Sequence, residues 1–120
     1  MKLSDITGSR DGVPIIALEP AGDAIPGNPG FPVDNLIAAD GLLTSNGFGF
    51  ETADGNYANP YYADFLSPPS FFEVFTEPAS MGFSELPIVF NAAIVPEPSS
   101  AALLITTLLG FAGYRRHRRR

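Results

Sequence analysis

Cysteine is missing from all 120 residues. No disulfide framework and no thiol chemistry are therefore available; the compartment stays open, because exported proteins also do without cysteine. Basic residues are nearly missing too until the chain's end. Before residue 95 only Lys2 and Arg10 face twelve acids, a net of −10. So acidic a body is a poor nucleic-acid-binding domain. No stretch before residue 95 holds apolar residues at a 3.6-residue period. Prolines at 14, 20, 26, 29, 32, 60, 68, 69, 78 and 87 would break almost any helix of ordinary length there. The opening Met1-Lys2-Leu3-Ser4-Asp5-Ile6 has no apolar core of a secretory signal. It reads like the middle of a strand.

What is present is aromatic residues and turns. Ten Phe and four Tyr suffice for a modest core, and twelve Gly with twelve Pro punctuate the chain. Short apolar or alternating runs between Gly, Pro, Asn and Asp predict strands. They fall at Leu3–Thr7, Pro14–Leu18, Asn35–Ala39, Tyr61–Phe65, Phe71–Thr76 and Phe83–Ala93, where Pro87 suggests an edge strand or bulge. Gly41–Thr44 and Gly47–Thr52 are expected to pair as a hairpin about Ser45-Asn46-Gly47, with Phe48 and Phe50 on one face. Segment 19–34 reads as a long loop. The expected fold is mainly β: a small antiparallel, sandwich-like body over residues 1–94, followed by one C-terminal transmembrane helix.

The end of the chain changes character. Ala101–Tyr114 carries no charge. Its fourteen residues give roughly 21 Å of helix at ~1.5 Å per residue, short of the ~30 Å hydrocarbon core. Bilayer thinning and arginine snorkelling would complete the span. A helix apolar nearly all round would need more cover than so small a body offers, which favours the membrane over a buried core position. The expected span residues are Ala101, Leu103, Leu104, Ile105, Leu108, Leu109, Phe111 and Tyr114. Arg115, Arg116, Arg118, Arg119 and Arg120 follow as a cytoplasmic basic anchor, the positive-inside pattern. Their direct abutment to the apolar run argues against a nuclear-localisation or nucleic-acid patch. The single histidine, His117, sits among them with no second ligand near in sequence, so it reads as one more polar residue. On the other side, Pro96-Glu97-Pro98 can neither continue a strand nor enter a helix interior. An extended hinge over 95–100 is expected, of the kind a protease or transpeptidase binds.

Val95-Pro96-Glu97-Pro98, the apolar run, Gly113-Tyr114 and the terminal arginines together resemble the PEP-CTERM sorting signal of Gram-negative bacteria. The resemblance covers residues 95–120, with the three parts in order at the extreme C-terminus. More loosely, residues 1–94 resemble the variable Gly/Phe-rich β-bodies that precede such signals. The resemblance implies recognition near Pro-Glu-Pro by an exosortase, an integral-membrane cysteine transpeptidase. It also implies transient residence in the inner membrane, then release or attachment at the cell surface, often beside extracellular polysaccharide. Family members carry an N-terminal secretion signal, and the positive-inside rule puts the body outside. Upstream residues are therefore expected to supply a signal peptide and the first strands.

Chemistry inside the body is harder to find. Asp54-Gly55-Asn56 with Asp64 offers oxygen ligands for Ca²⁺, but an Asp-Gly turn explains it more simply. Glu73 with Glu77, or Glu51 with Asp54, has the composition of a glycosidase pair; solvated surface acids are the plainer reading. Ser99 and Ser100 have no histidine nearby for a triad. Tyr57, Tyr61 and Tyr62 with Asn56 and Asn59 form either a sugar-stacking patch or turn aromatics capping a sheet. Taken together, the residues point to a non-enzymatic exported protein with no metal and no cofactor. The alternative is an anchored surface module that binds glycan or calcium.

Overall fold

The structure, a computed structural model, describes residues 1–93. The hinge 95–100, the apolar run 101–114 and the basic end 115–120 lie outside them. The described chain is mainly β. Six strands follow one another as an antiparallel meander: β1 (Ser9–Arg10), β2 (Val13–Leu18), β3 (Phe50–Thr52), β4 (Tyr57–Ala63), β5 (Ser70–Glu77) and β6 (Gly82–Pro87). The only helix among the described residues is a single 3₁₀ turn, Pro78–Ser80.

Local chemistry accounts for the turns. Asp11 and Gly12 both take positive φ, 49° and 81°, between Arg10 and its partner Val13. This is the two-residue geometry whose twist suits a hairpin, and an Asp-Gly pair adopts it at little cost. The β3–β4 turn is tied by Asp54, whose carboxylate accepts the Thr52 hydroxyl at 2.5 Å.

The expected strands over 14–18, 71–76 and the first half of 83–93 are present. Four expectations need correcting. Leu3–Thr7 and Asn35–Ala39 are not strands; the second supplies only isolated bridges, Leu36 with Lys2 just ahead of the first segment and Ile37 with Leu43. Gly41–Thr44 does not pair with Gly47–Thr52, because β3 lies between β2 and β4 and both its edges are taken. The strand expected at Tyr61–Phe65 begins four residues earlier, at Tyr57, and runs straight through Pro60.

Pro60 is tolerated for a visible reason. Phe50 pairs with Ala58, and two residues back along β3 Phe48 meets Pro60 in the same register. Phe48 donates its N–H to the Pro60 carbonyl at 3.2 Å. A regular pair would return an N–H from residue 60 to the Phe48 carbonyl, and proline has none. The side-chain amide of Asn59 supplies it, donating to Phe48 O at 2.8 Å and to Asn46 O at 3.1 Å. The formal strand stops at Phe50, yet the pairing continues to Phe48. Gly47 must be glycine here: its φ is +69°, and a Cβ would stand 1.9 Å from the Pro60 carbonyl oxygen.

Loop layers cover both faces of the sheet, so the body is sandwich-like without a second sheet among the described residues. On one face Phe48, Phe50, Ala58, Tyr62 and Phe71 pack under Leu3, Ile6, Ile37, Leu43 and Phe90. Phe48 and Phe50 do share this face, their rings stacked at 6.0 Å. On the other face the 19–35 loop folds back. Its buried Ile25 and Val33 press on Gly49, and the Thr76 hydroxyl donates to Pro26 O at 2.7 Å. The sheet also curls: Arg10 of β1 reaches Glu73 and Phe75 of β5.

Candidate functional site

Strand alternation decides which side chains can meet. Tyr57, Asn59 and Tyr61 stand on the face under the 19–35 loop; Tyr62 stands on the opposite face, against Phe71 at 4.7 Å. The expected patch of three tyrosines and two asparagines is therefore split. Only Asn59 and Tyr61 reach a common cavity, and the sequence reading missed most of the other residues around it.

That cavity is a cleft of about 460 Å³. Its floor is Asn59 and Val74, paired across β4 and β5. Phe31 comes from the long loop, Phe65 from the β4–β5 turn and Phe83 from β6; they are 65%, 71% and 57% exposed. Tyr61 stands among them, its ring stacked on Phe72 at 6.2 Å. Ser45, Asn46 and Asn28 add polar groups, and Glu85 is the one charged residue of the lining. Phe31 and Phe65 sit beside Gly-Pro and Asp-Leu turn residues. The available signal was an aromatic ring placed in a turn, where no core requires it.

Electrostatics inside the cleft are set by one pair. The Tyr61 hydroxyl donates to Glu85 Oε1. Burial first, then this carboxylate, pushes the phenol up to about 12. Tyr61 is thus a neutral donor that holds Glu85 in place at neutral pH. Asn28 is 8% exposed, and its side-chain amide makes no hydrogen bond among the described residues. That amide still opens to solvent through the cleft; the one sealed side-chain polar atom without a partner among the described residues is Asn35 Oδ1.

The other candidates separate. Asp54 and Asp64 lie at opposite ends of β4, on the order of 23 Å apart at ~3.3 Å per residue, and cannot share an ion. The Asp54 carboxyl is held below its ordinary value, first by the Thr52 hydroxyl, as befits a turn residue. Glu73 and Glu77 are four residues apart on one strand, roughly 13 Å, beyond the ~5–9.5 Å of a glycosidase pair. Glu73 accepts instead from Arg10, Nε at 3.0 Å and Nη2 at 2.6 Å on one oxygen. No cluster of metal-ligating side chains occurs among the described residues. No helix among them is long and apolar enough to cross a membrane.

Compared with known protein families, curated proteins and solved structures, the chain matches none.

Proposed function

We propose that this is an exported envelope or surface protein, without catalysis of its own, whose tripartite tail directs membrane retention and processing by an exosortase. The observation that carries the reading is the order of parts at the chain's end: Pro96-Glu97-Pro98, fourteen uncharged residues, then five arginines among the last six. The apolar run halts in the inner membrane, the arginines hold its orientation with the body outside, and the hinge is presented for cleavage. Two features of the body support this arrangement. Among the described residues Phe90 is the last side chain packed into the aromatic cluster, 6.2 Å from Phe48 and 5.4 Å from Phe71. Residues 91–93, the last described, are exposed a few positions before the hinge.

The test is the intact mass of the chain, expressed behind a cleavable export signal in a Gram-negative host with and without an exosortase. Loss of the residues after Pro-Glu-Pro only when the enzyme is present is the expected result. A full-length mass in both hosts would withdraw the sorting reading and leave a permanently anchored protein. A second reading, an anchored surface binding module, is favoured by the cleft.

A further inference from the structure

We propose that the cleft between the 28–31 loop, Ser45-Asn46, the Phe65 turn and β6 binds an uncharged oligosaccharide. Three observations converge on that class of ligand. First, Phe31, Phe65 and Phe83 come from three separate segments and stay more than half exposed at one mouth. Burying them in the body's own core would be worth about 1.5–3 kcal/mol each, yet the fold leaves them open around polar groups. Flat rings of this kind stack on the C–H faces of pyranose rings. Second, the polar groups suit hydroxyls. The Asn28 side-chain amide makes no hydrogen bond among the described residues and opens to the cleft, able to donate and accept at once. Glu85 is held on one oxygen by Tyr61, which leaves its other oxygen free to accept from a sugar hydroxyl. Third, the volume of about 460 Å³ falls in the ~300–1,000 Å³ range of small-molecule sites, room for a disaccharide-sized segment of a chain.

Charge narrows the class. The one charged-type residue of the lining is an acid, and the body carries ten more acids than bases. A uronate or sulfated chain would bring like charge against the exposed Glu85. A purely apolar peptide would fill the aromatic mouth but could meet the Asn28 amide and Glu85 only through its backbone amides, whereas a pyranose carries hydroxyls around its whole rim.

The experiment is isothermal titration of the full chain in octaethylene glycol dodecyl ether, a detergent without a sugar head group. The probes are cellotriose, maltotriose, N-acetylchitotriose, trigalacturonate and a neutral phenylalanine-rich tetrapeptide. Saturable binding of at least one neutral trisaccharide is expected, weakened tenfold or more by Phe65→Ala and by Phe31→Ala. Both substitutions remove exposed rings, so the fold should survive, and an unchanged melting curve would verify that. Asn28→Ala should also abolish the affinity. The proposal is overturned if no neutral trisaccharide binds, if trigalacturonate or the peptide binds more tightly than all three, or if the exposed-ring variants bind like the parent. This test is separable from the tail: cleavage can fail while the cleft binds, and the reverse.

Discussion

Arg10 shows how much one side chain carries in a body with so few cations. It sits on the short first strand, yet its guanidinium lies 3.8 Å from the centroid of the Phe75 ring and donates twice to Glu73. The contact pins the curl of the sheet. Arg10→Ala would leave a mostly buried carboxylate without its partner, at a cost of about 2 kcal/mol. Arg10→Lys keeps the charge but loses the planar stack and the forked donation, and should recover half of that or less. Urea midpoints of the three proteins would decide; an unshifted midpoint for Arg10→Ala would show the contact to be idle. Tyr61 gives a pH signature at the same scale. Its pKa is raised from 10.0 to about 12, so between those values the folded molecule keeps a proton that the unfolded chain has lost. The associated stability is complete below pH 10 and disappears as pH rises through about 12. Ultraviolet titration of the phenolate should show Tyr61 ionising near 12, and Glu85→Gln should bring it down part of the way. Burial, the larger cause, would remain in that variant.

Among the elements, β4 carries the least expected feature. A proline within an internal strand ordinarily argues against the strand, and Asn59-Pro60 reads in sequence as a break. The pairing with Phe48 reverses that reading, because the Asn59 amide donates where the Pro60 nitrogen cannot. Asn59→Ala should cost about 1–3 kcal/mol, chiefly by leaving the buried Phe48 carbonyl unmet. Pro60→Ala restores a backbone N–H at the right place. The double variant should therefore cost less than the sum of the two single ones by about 1 kcal/mol or more, a coupling that a double-mutant cycle reads directly. Strict additivity would mean that Asn59 acts through some other contact.

For the molecule as a whole, stability depends on loops as much as on strands. Leu3 and Ile6 pack into the aromatic cluster, while Leu3 N donates to Asn35 O at 2.7 Å and Ile37 N to Met1 O at 2.8 Å. Deleting residues 1–7 should cost about 2–4 kcal/mol, at ~1.5–3 kcal/mol for each fully buried aliphatic side chain. That is a large part of the ~5–15 kcal/mol that holds a domain folded. Thermal melting of the shortened chain would show it; an unchanged melting temperature would mean that this segment only decorates the sheet.

Much of the molecule follows from its residues taken in order. Prolines at short intervals exclude helices, since each removes a donor and fixes φ. The Phe71–Thr76 run is a strand because aromatic and β-branched side chains suit a pleated surface, and Pro87 ends an edge strand because no neighbour there needs its N–H. The sorting resemblance is legible in sequence alone, as it consists of adjacent residues in a set order. The cleft is not. Phe31, Phe65 and Phe83 lie 34 and 18 residues apart, and local patterns carry no information on which turns come together. In sequence Tyr62 groups with Tyr61 because they are neighbours; period-two alternation places them on opposite faces. Residue type and short-range pattern determined that the body is β and how its end is marked. Only the folding of the 19–35 loop across the sheet decided which aromatic rings share a site, because that loop's burial of Ile25 and Val33 depends on strands far from it in the chain.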